Sequence, residues 1–163
     1  MLDLHFLAAA QIFFLVVVAN GTPVIAKKIF GTARPLDGGI VLADGQPLFG
    51  SSKTARGILL SAIASSLAAP FIGLSWTTGL LVAVTAMAGD LLSSFIKRRL
   101  KLPPGSMALG LDQIPESLFP AMACRWVLPV SIPDVLVLTA VFFAGELAAS
   151  RALYTLNIRD RPY

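Results

Sequence analysis

The chain has 163 residues, of which 56% are hydrophobic and 13% charged, with a formal net charge of +4 and a mean hydropathy of +0.79. A soluble domain carries about 25% charged residues, so this chain has too few polar side chains to cover a water-facing surface, and lipid is the solvent its composition fits. Cys124 and His5 are the sole cysteine and histidine, which excludes an intrachain disulfide, a cysteine metal cluster and any chemistry built on paired histidines or a Cys/His couple.

Hydropathy predicts an all-α polytopic membrane protein, one domain over 1–163, with about five transmembrane helices near 3–19, 57–74, 77–97, 113–129 and 132–153. The first stretch has no basic leader and no small-x-small cleavage site ahead of a soluble domain, so it reads as a retained span. A helix from Asp3 to Ala19 would be about 25 Å long, slightly short for a 30 Å hydrocarbon core. Between the first and second spans lies a loop of about 35 residues. The second span is weakened by Pro70. The fourth holds Pro115, Glu116, Pro120 and Arg125.

Charge gives the orientation. Lys27, Lys28, Arg34, Lys53 and Arg56 follow the first span, Lys97, Arg98, Arg99 and Lys101 the third, and Arg151, Arg159 and Arg161 the fifth. With five spans, twelve of the 13 cations fall on one face, and Arg125 is the exception. The positive-inside rule then puts the amino terminus outside, with the loops and carboxyl terminus cytoplasmic. A basic cytoplasmic face orients a protein and touches anionic lipid, and no nucleic-acid partner is expected.

The acidic residues among these cations need a second explanation. Asp90 lies inside the third span, and an intramembrane carboxylate is a functional-site hypothesis by default. On a helix Asp90, Ser93, Ser94 and Lys97 share one face. The structural alternative is an internal Asp90–Lys97 pair. Asp112 follows a loop broken by Pro103, Pro104, Gly105 and Gly110; it is a site candidate or, equally, a helix N-cap. In the first loop, Asp37-Gly38-Gly39 and Asp44-Gly45 are turn signals. "FGSSKTARG" places Lys53, Thr54 and Arg56 where a helix N-terminus could hold phosphate, although the G-x-x-x-x-G-K-[ST] pattern is absent. Carboxylates beside Lys/Arg clusters at a membrane surface suit Mg²⁺ and polyphosphate.

Five segments carry a family resemblance: "VANGTP" (Val18–Pro23), "RPLDGG" (Arg34–Gly39), "DGQPLFGSSKTARG" (Asp44–Gly57), "GDLLSSFIKRRL" (Gly89–Leu100) and "LDQIPES" (Leu111–Ser117). Through them the chain resembles the CDP-archaeol synthases, membrane cytidylyltransferases distantly related to the CDP-diacylglycerol synthases. The resemblance implies transfer from CTP to a lipid phosphate with release of pyrophosphate and dependence on Mg²⁺. It implies catalytic roles for Asp90, Asp112 and Lys97, with Asp90 and Asp112 as the magnesium carboxylates. It implies that Arg98 and Arg99 join Lys97 on the triphosphate, and that Lys53, Thr54, Arg56 and Ser94 line the same pocket with Asn20 and Asp37 at its edge. The chain departs from the family pattern at Gln46, Pro47 and Ala55, which leaves the loop less cationic.

Two other classes fit the residues. A small transporter or channel would use Asp90, Glu116, Arg125 and Glu146 as a polar pathway. A non-catalytic membrane subunit would tolerate loss of Asp90 and Lys97.

Overall fold

Five helices follow one another: α1 (Phe6–Phe30), α2 (Ala55–Phe71), α3 (Trp76–Arg99), α4 (Gln113–Cys124) and α5 (Ile132–Thr155). The computed structural model describes residues 5–155, without the side chains of 152–154. Asp3, Arg159 and Arg161, used above for the first span and the charge count, lie outside the described residues. No strand occurs among the described residues; two isolated bridges, Pro35 with Thr54 and Val41 with Pro47, pin the loop 31–54.

Helix starts follow the sequence. Thr54 caps α2 by accepting from Gly57 N at 3.1 Å, and Ser75 caps α3 by accepting from Thr78 N at 3.2 Å. At α5, Ser131 N donates to Asp134 Oδ2 (2.8 Å) and Asp134 N to Ser131 Oγ (3.3 Å), a reciprocal capping box.

Two expectations are corrected. The first helix does not stop at 19 but runs through Pro23 to Phe30, so Asn20 and Lys27 are helical and the loop shrinks to 31–54. Proline lacks an N–H and leaves the carbonyl four residues earlier without its helical donor. That carbonyl belongs to Ala19, and Ser61 Oγ from α2 donates to it at 2.8 Å. The fourth span is the other correction. α4 has 12 residues, about 18 Å of helix, too short to cross a 30 Å core alone, and residues 125–131 after it are not helical. Gln113, Glu116 and Ser117 are buried, so this helix packs inside the bundle. Three helices are long and apolar enough to span: Phe6–Phe30, Trp76–Arg99 and Ile132–Arg151, with α2 a shorter apolar helix.

Packing divides the bundle along its length. At one end His5 N donates to Asp134 Oδ1 at 3.0 Å, and Gln11 Nε2 to Ile72 O at 2.7 Å. This half holds the apolar core, where Ile12, Leu15 and Val16 meet Val82, Cys124, Val135 and Phe142. Phe13 and Phe142 pack edge to face with centroids 6.3 Å apart. Toward the other end small residues take over, with Ala19, Ala83 and Ala86 packed on Ala62. Close helix approach through small residues is the usual packing mode in lipid. Leu59, Leu67, Val84, Leu136 and Val141 are exposed on the outside, a surface that water would not favour.

Candidate functional site

The cationic end of the bundle encloses a cavity of about 590 Å³. α1 contributes Asn20 and Lys27, the loop and start of α2 contribute Lys53, Thr54 and Arg56, and α3 contributes Asp90, Ser94, Lys97 and Arg98. Ser106 and Asp112 come from the loop before α4, Glu116 from α4 and Glu146 from α5.

The charges pair across elements. Lys53 Nζ bonds Asp90, tying the end of the first loop to the middle of the bundle. Lys97 Nζ lies 2.6 Å from Asp112 Oδ1 and donates to Ser106 O at 2.8 Å. The internal Asp90–Lys97 pair is therefore not formed; each residue takes a partner elsewhere. Asp112 is not a side-chain cap either, because its second oxygen accepts from Ala108 N at 2.8 Å. Glu116 from α4 and Asp90 from α3 line the same cavity, where the two carboxyl groups act on one another electrostatically. Two neighbouring carboxyl groups hold a proton or a cation between them.

Arg98 is 1% exposed. Its Nη2 donates to Pro103 O at 2.9 Å, while Nε and Nη1 have no hydrogen-bond partner. Asn20 Nδ2 and Ser106 Oγ are buried without a partner on the same cavity wall. Unpaired buried donors are expensive, and donors grouped around a cationic cavity are matched by an anion with several acceptor oxygens. The start of α2 borders the same space through Thr54, Arg56, Gly57 and Ile58. Thr54 lines it as well, with its hydroxyl committed to the cap. Arg56 also lines it, bonding Gly31 O and Phe30 O (3.3 Å). It thereby places a cation on the carbonyl end of α1.

Two expected residues stand outside the cavity. The Asp37 carboxylate is consumed by the loop, accepting from Gly39 N (3.0 Å), Phe49 N (2.8 Å) and Gly50 N (2.9 Å). Burial acts to raise its pKa, but these backbone bonds outweigh it and hold the carboxyl below its ordinary value. Arg99 turns away from Arg98 and clasps the loop. Its Nη1 bonds both oxygens of Asp44 (2.8 and 2.7 Å), its Nη2 bonds Pro47 O (2.6 Å), and its guanidinium lies over Phe95 at 5.2 Å.

Glu116, Glu146, Lys27 and Ser106 were absent from the expected set. For the two glutamates a signal existed, since each interrupts an apolar run. Arg125 sits at the opposite end with its Nε bonded to Val130 O at 3.3 Å, so the polar pathway through Asp90, Glu116, Arg125 and Glu146 is not formed.

Comparison with known proteins agrees with this arrangement. The sequence profile of the CarS-like CDP-archaeol synthases matches residues 1–76 and 61–163. A CDP-archaeol synthase of Pyrobaculum calidifontis is 34% identical over 161 residues, covering 94% of this chain and 97% of that protein. One of Aeropyrum pernix is 34% identical over 157 residues, covering 90% and 86%. A solved structure of an intramembrane enzyme for archaeal membrane lipids biosynthesis superposes with a TM-score of 0.77 at 32% identity, covering 86% of this chain and 91% of that one. The fold, the cationic cavity and these matches together make the chain a member of the CDP-archaeol synthase family.

Proposed function

We propose that the chain joins CTP to a membrane lipid phosphate in the cavity between α1, α2, α3 and α4, releasing pyrophosphate and leaving a CDP-activated lipid. Membership in the family makes it a membrane cytidylyltransferase. The observation that carries the assignment to this cavity is the buried Arg98 with two unpaired donors, in the same wall as the Asp90–Glu116 carboxyl pair. Arg98, Lys97 and Lys53 bind and neutralise the triphosphate. Asn20 and Ser106 supply further donors at the cavity wall.

The nucleophile is the phosphate oxygen of the lipid, already largely anionic near neutral pH, so the chain needs no histidine base. That oxygen forms a bond to the α-phosphorus of CTP as the bond to the β,γ-pyrophosphate breaks. The leaving group carries off its electron pair as pyrophosphate, beside Lys97 and Arg98.

The carboxylates fit Mg²⁺. No three His, Cys, Asp or Glu side chains converge as a preformed cage among the described residues, but Mg²⁺ is commonly held by one or two carboxylates with substrate phosphates and water. Asp90 and Glu116, which line the cavity together, make a protein donor set of that size. Asp112 is less available because Lys97 and Ala108 N engage both of its oxygens, whereas Lys53 engages one oxygen of Asp90. Bound there, Mg²⁺ would neutralise phosphate oxygens of the substrate. The positive-inside rule supports a cytoplasmic position for the cavity, whose rim is cationic.

The test is pyrophosphate release by purified protein given CTP, Mg²⁺ and lipid phosphates of the dialkyl-ether and diacyl-ester classes. Release with at least one class, abolished by Asp90→Asn without loss of the fold, is expected. No release with either class, alongside an active relative, defeats the proposal. Full activity in Asp90→Asn would favour a non-catalytic role for that carboxylate.

A further inference from the structure

Lys53 is the last loop residue before the Thr54 cap of α2, and its backbone is pinned on both sides. Lys53 N donates to Gly50 O at 3.2 Å, and Lys53 O accepts from Leu36 N at 2.7 Å. The bridge between Pro35 and Thr54 closes the same point. A backbone held in this way leaves only the four-carbon side chain to move. Its Nζ bonds Asp90 Oδ1, and that is its one hydrogen bond to the described residues. An ammonium carries three donors, so Lys53 can exchange this partner for another within the cavity that it lines.

Lys53 and a divalent cation compete for the same oxygens. Asp90 and Glu116 are the carboxyl groups that fit Mg²⁺, and the Lys53 charge acts on Glu116 as well as bonding Asp90. The Lys53 and Asp90 side chains are 20% and 18% exposed, so water screens the pair only in part. Mg²⁺ alone must displace Lys53 and leave its ammonium without an anion. A triphosphate alone must draw Lys53 away and leave Asp90 without a cation. Either result strands a partly buried charge, which is strongly unfavourable. The two ligands together strand nothing: the metal takes the carboxylates and the phosphate oxygens take the ammonium. Lys97 is less free to make such an exchange, because Ser106 O as well as Asp112 holds its Nζ, at 2.8 and 2.6 Å.

We infer that Lys53 is a placeholder for the divalent cation, a positioning residue that lets the site accept metal and nucleoside triphosphate as a pair and makes it a poor site for bare Mg²⁺. This rests on the proposed cytidylyl transfer for the identity of the two ligands. It adds a coupling carried by the chain itself, over and above the contact of metal with phosphate. Coupling of this kind is reciprocal, so the metal improves the site for the nucleotide by the same factor.

Binding tests this without turnover. Mn²⁺ replaces Mg²⁺ because it takes the same oxygen ligands and its free aqueous form is counted by electron paramagnetic resonance. Protein in nanodiscs of zwitterionic lipid is titrated with Mn²⁺, alone and with the non-cleavable analogue α,β-methylene-CTP. Lys53→Met should bind Mn²⁺ alone about tenfold more tightly than wild type, and the gain in Mn²⁺ affinity on adding the analogue should shrink by a similar factor. Lys53→Arg keeps a cation on Asp90 and should return the weak binding of wild type. Lys27→Met removes one positive charge from the same cavity without touching the Lys53–Asp90 pair, and should shift Mn²⁺ affinity far less. Wild type gives a second measurement that does not depend on a variant folding. Acetylation of Lys53 by a water-soluble reagent, mapped by mass spectrometry, should rise with saturating Mn²⁺ alone and fall again when the analogue is added. Equal Mn²⁺ affinity in wild type and folded Lys53→Met, equal shifts from Lys53→Met and Lys27→Met, or Lys53 acetylation indifferent to Mn²⁺ would overturn the inference. If the analogue does not bind at all, the proposed reaction fails, and the Mn²⁺ titration without nucleotide still decides whether Lys53 guards the carboxylates.

Discussion

Gly89→Ala is the sharpest probe of how this fold positions its carboxylates. Gly89 precedes Asp90, and it faces the residue that precedes Glu116. A Cβ built on Gly89 would lie 2.3 Å from Pro115 O and 2.8 Å from Glu116 N, whereas ordinary contact begins at 3.4 Å. The two helices must therefore part by 3.4 − 2.3 = 1.1 Å at the level of the carboxyl pair. Backbone atoms on α4 cannot rotate away as a side-chain tip would. Overpacking of this kind costs about 1–3 kcal/mol, and replacing a helical glycine returns up to about 1 kcal/mol, so the protein should still fold. Displacing a catalytic group by about 1 Å can cost about a hundredfold in rate. The expected result is a kcat about a hundredfold down with a modest fall in Tm, read by pyrophosphate release and by thermal unfolding of the same preparation. Gly145→Ala on α5, where nothing lies within 4 Å, should leave kcat unchanged and gain about 0.4–1 kcal/mol. A folded Gly89→Ala protein with near wild-type kcat would refute the reasoning, because the close approach would then not set the site.

Three further outcomes follow from contacts on other elements. Ser61→Ala should destabilise by about 1–3 kcal/mol, since it leaves the buried Ala19 carbonyl without a donor; adding Pro23→Ala restores a helical N–H and should erase most of that loss in an unfolding titration. Lys97→Met should destabilise by about 3–5 kcal/mol by leaving Asp112 uncompensated in its buried pair, with much of the loss recovered in the Lys97→Met/Asp112→Asn double variant. Asp37 titrates below its ordinary value when folded, so its contribution is complete above the ordinary carboxylate pKa and is lost as pH falls through the lower folded value; proteolysis within 31–54 should accelerate in strong acid and, at neutral pH, in Asp37→Asn.

Much of this was legible in the sequence, and the failures share a cause. Hydropathy located all five helices, and the cation count predicted a single charged end. Asp90, Asp112, Lys53, Lys97 and Arg98, singled out in the sequence, line one cavity; Asp90 drew notice because a carboxylate in an apolar run is costly. The end of α1 was misjudged because Pro23 reads as a stop, and the hydroxyl that rescues the helix comes from Ser61 in another span. Asp37 and Arg99, expected beside those five residues from their type and neighbourhood, do not line that cavity. Only the fold reveals that loop N–H groups saturate the first and that Asp44 captures the second. Residue type is visible in a sequence; the hydrogen bonds already spent on it are not.

The pairing of Pro23 with Ser61 recurs at the site itself. Pro115 lies in the first turn of α4 and has no N–H to give Leu111 O. Ser93 Oγ on α3 lies 2.6 Å from that carbonyl and 2.9 Å from Gly89 O, sharing its proton between the two helices. Leu111 is next to Asp112, and Gly89 is next to Asp90, so one hydroxyl ties together the two backbone positions that carry both carboxylates. In lipid an unsatisfied carbonyl has no water to turn to, which makes such a tie hard to break and fixes the register of α3 against α4. Asp90 on α3 and Asp112 just before α4 are thereby set by backbone contacts. Among the cations lining the cavity, Lys53 comes from the loop 31–54, which Arg99 clasps through Asp44 and Pro47, while Lys27, Arg56, Lys97 and Arg98 stand on helices. Ser93→Ala should therefore let Asp90 and Asp112 shift against one another and lower kcat in the pyrophosphate assay, where Arg99→Ala loosens only the loop that carries Lys53.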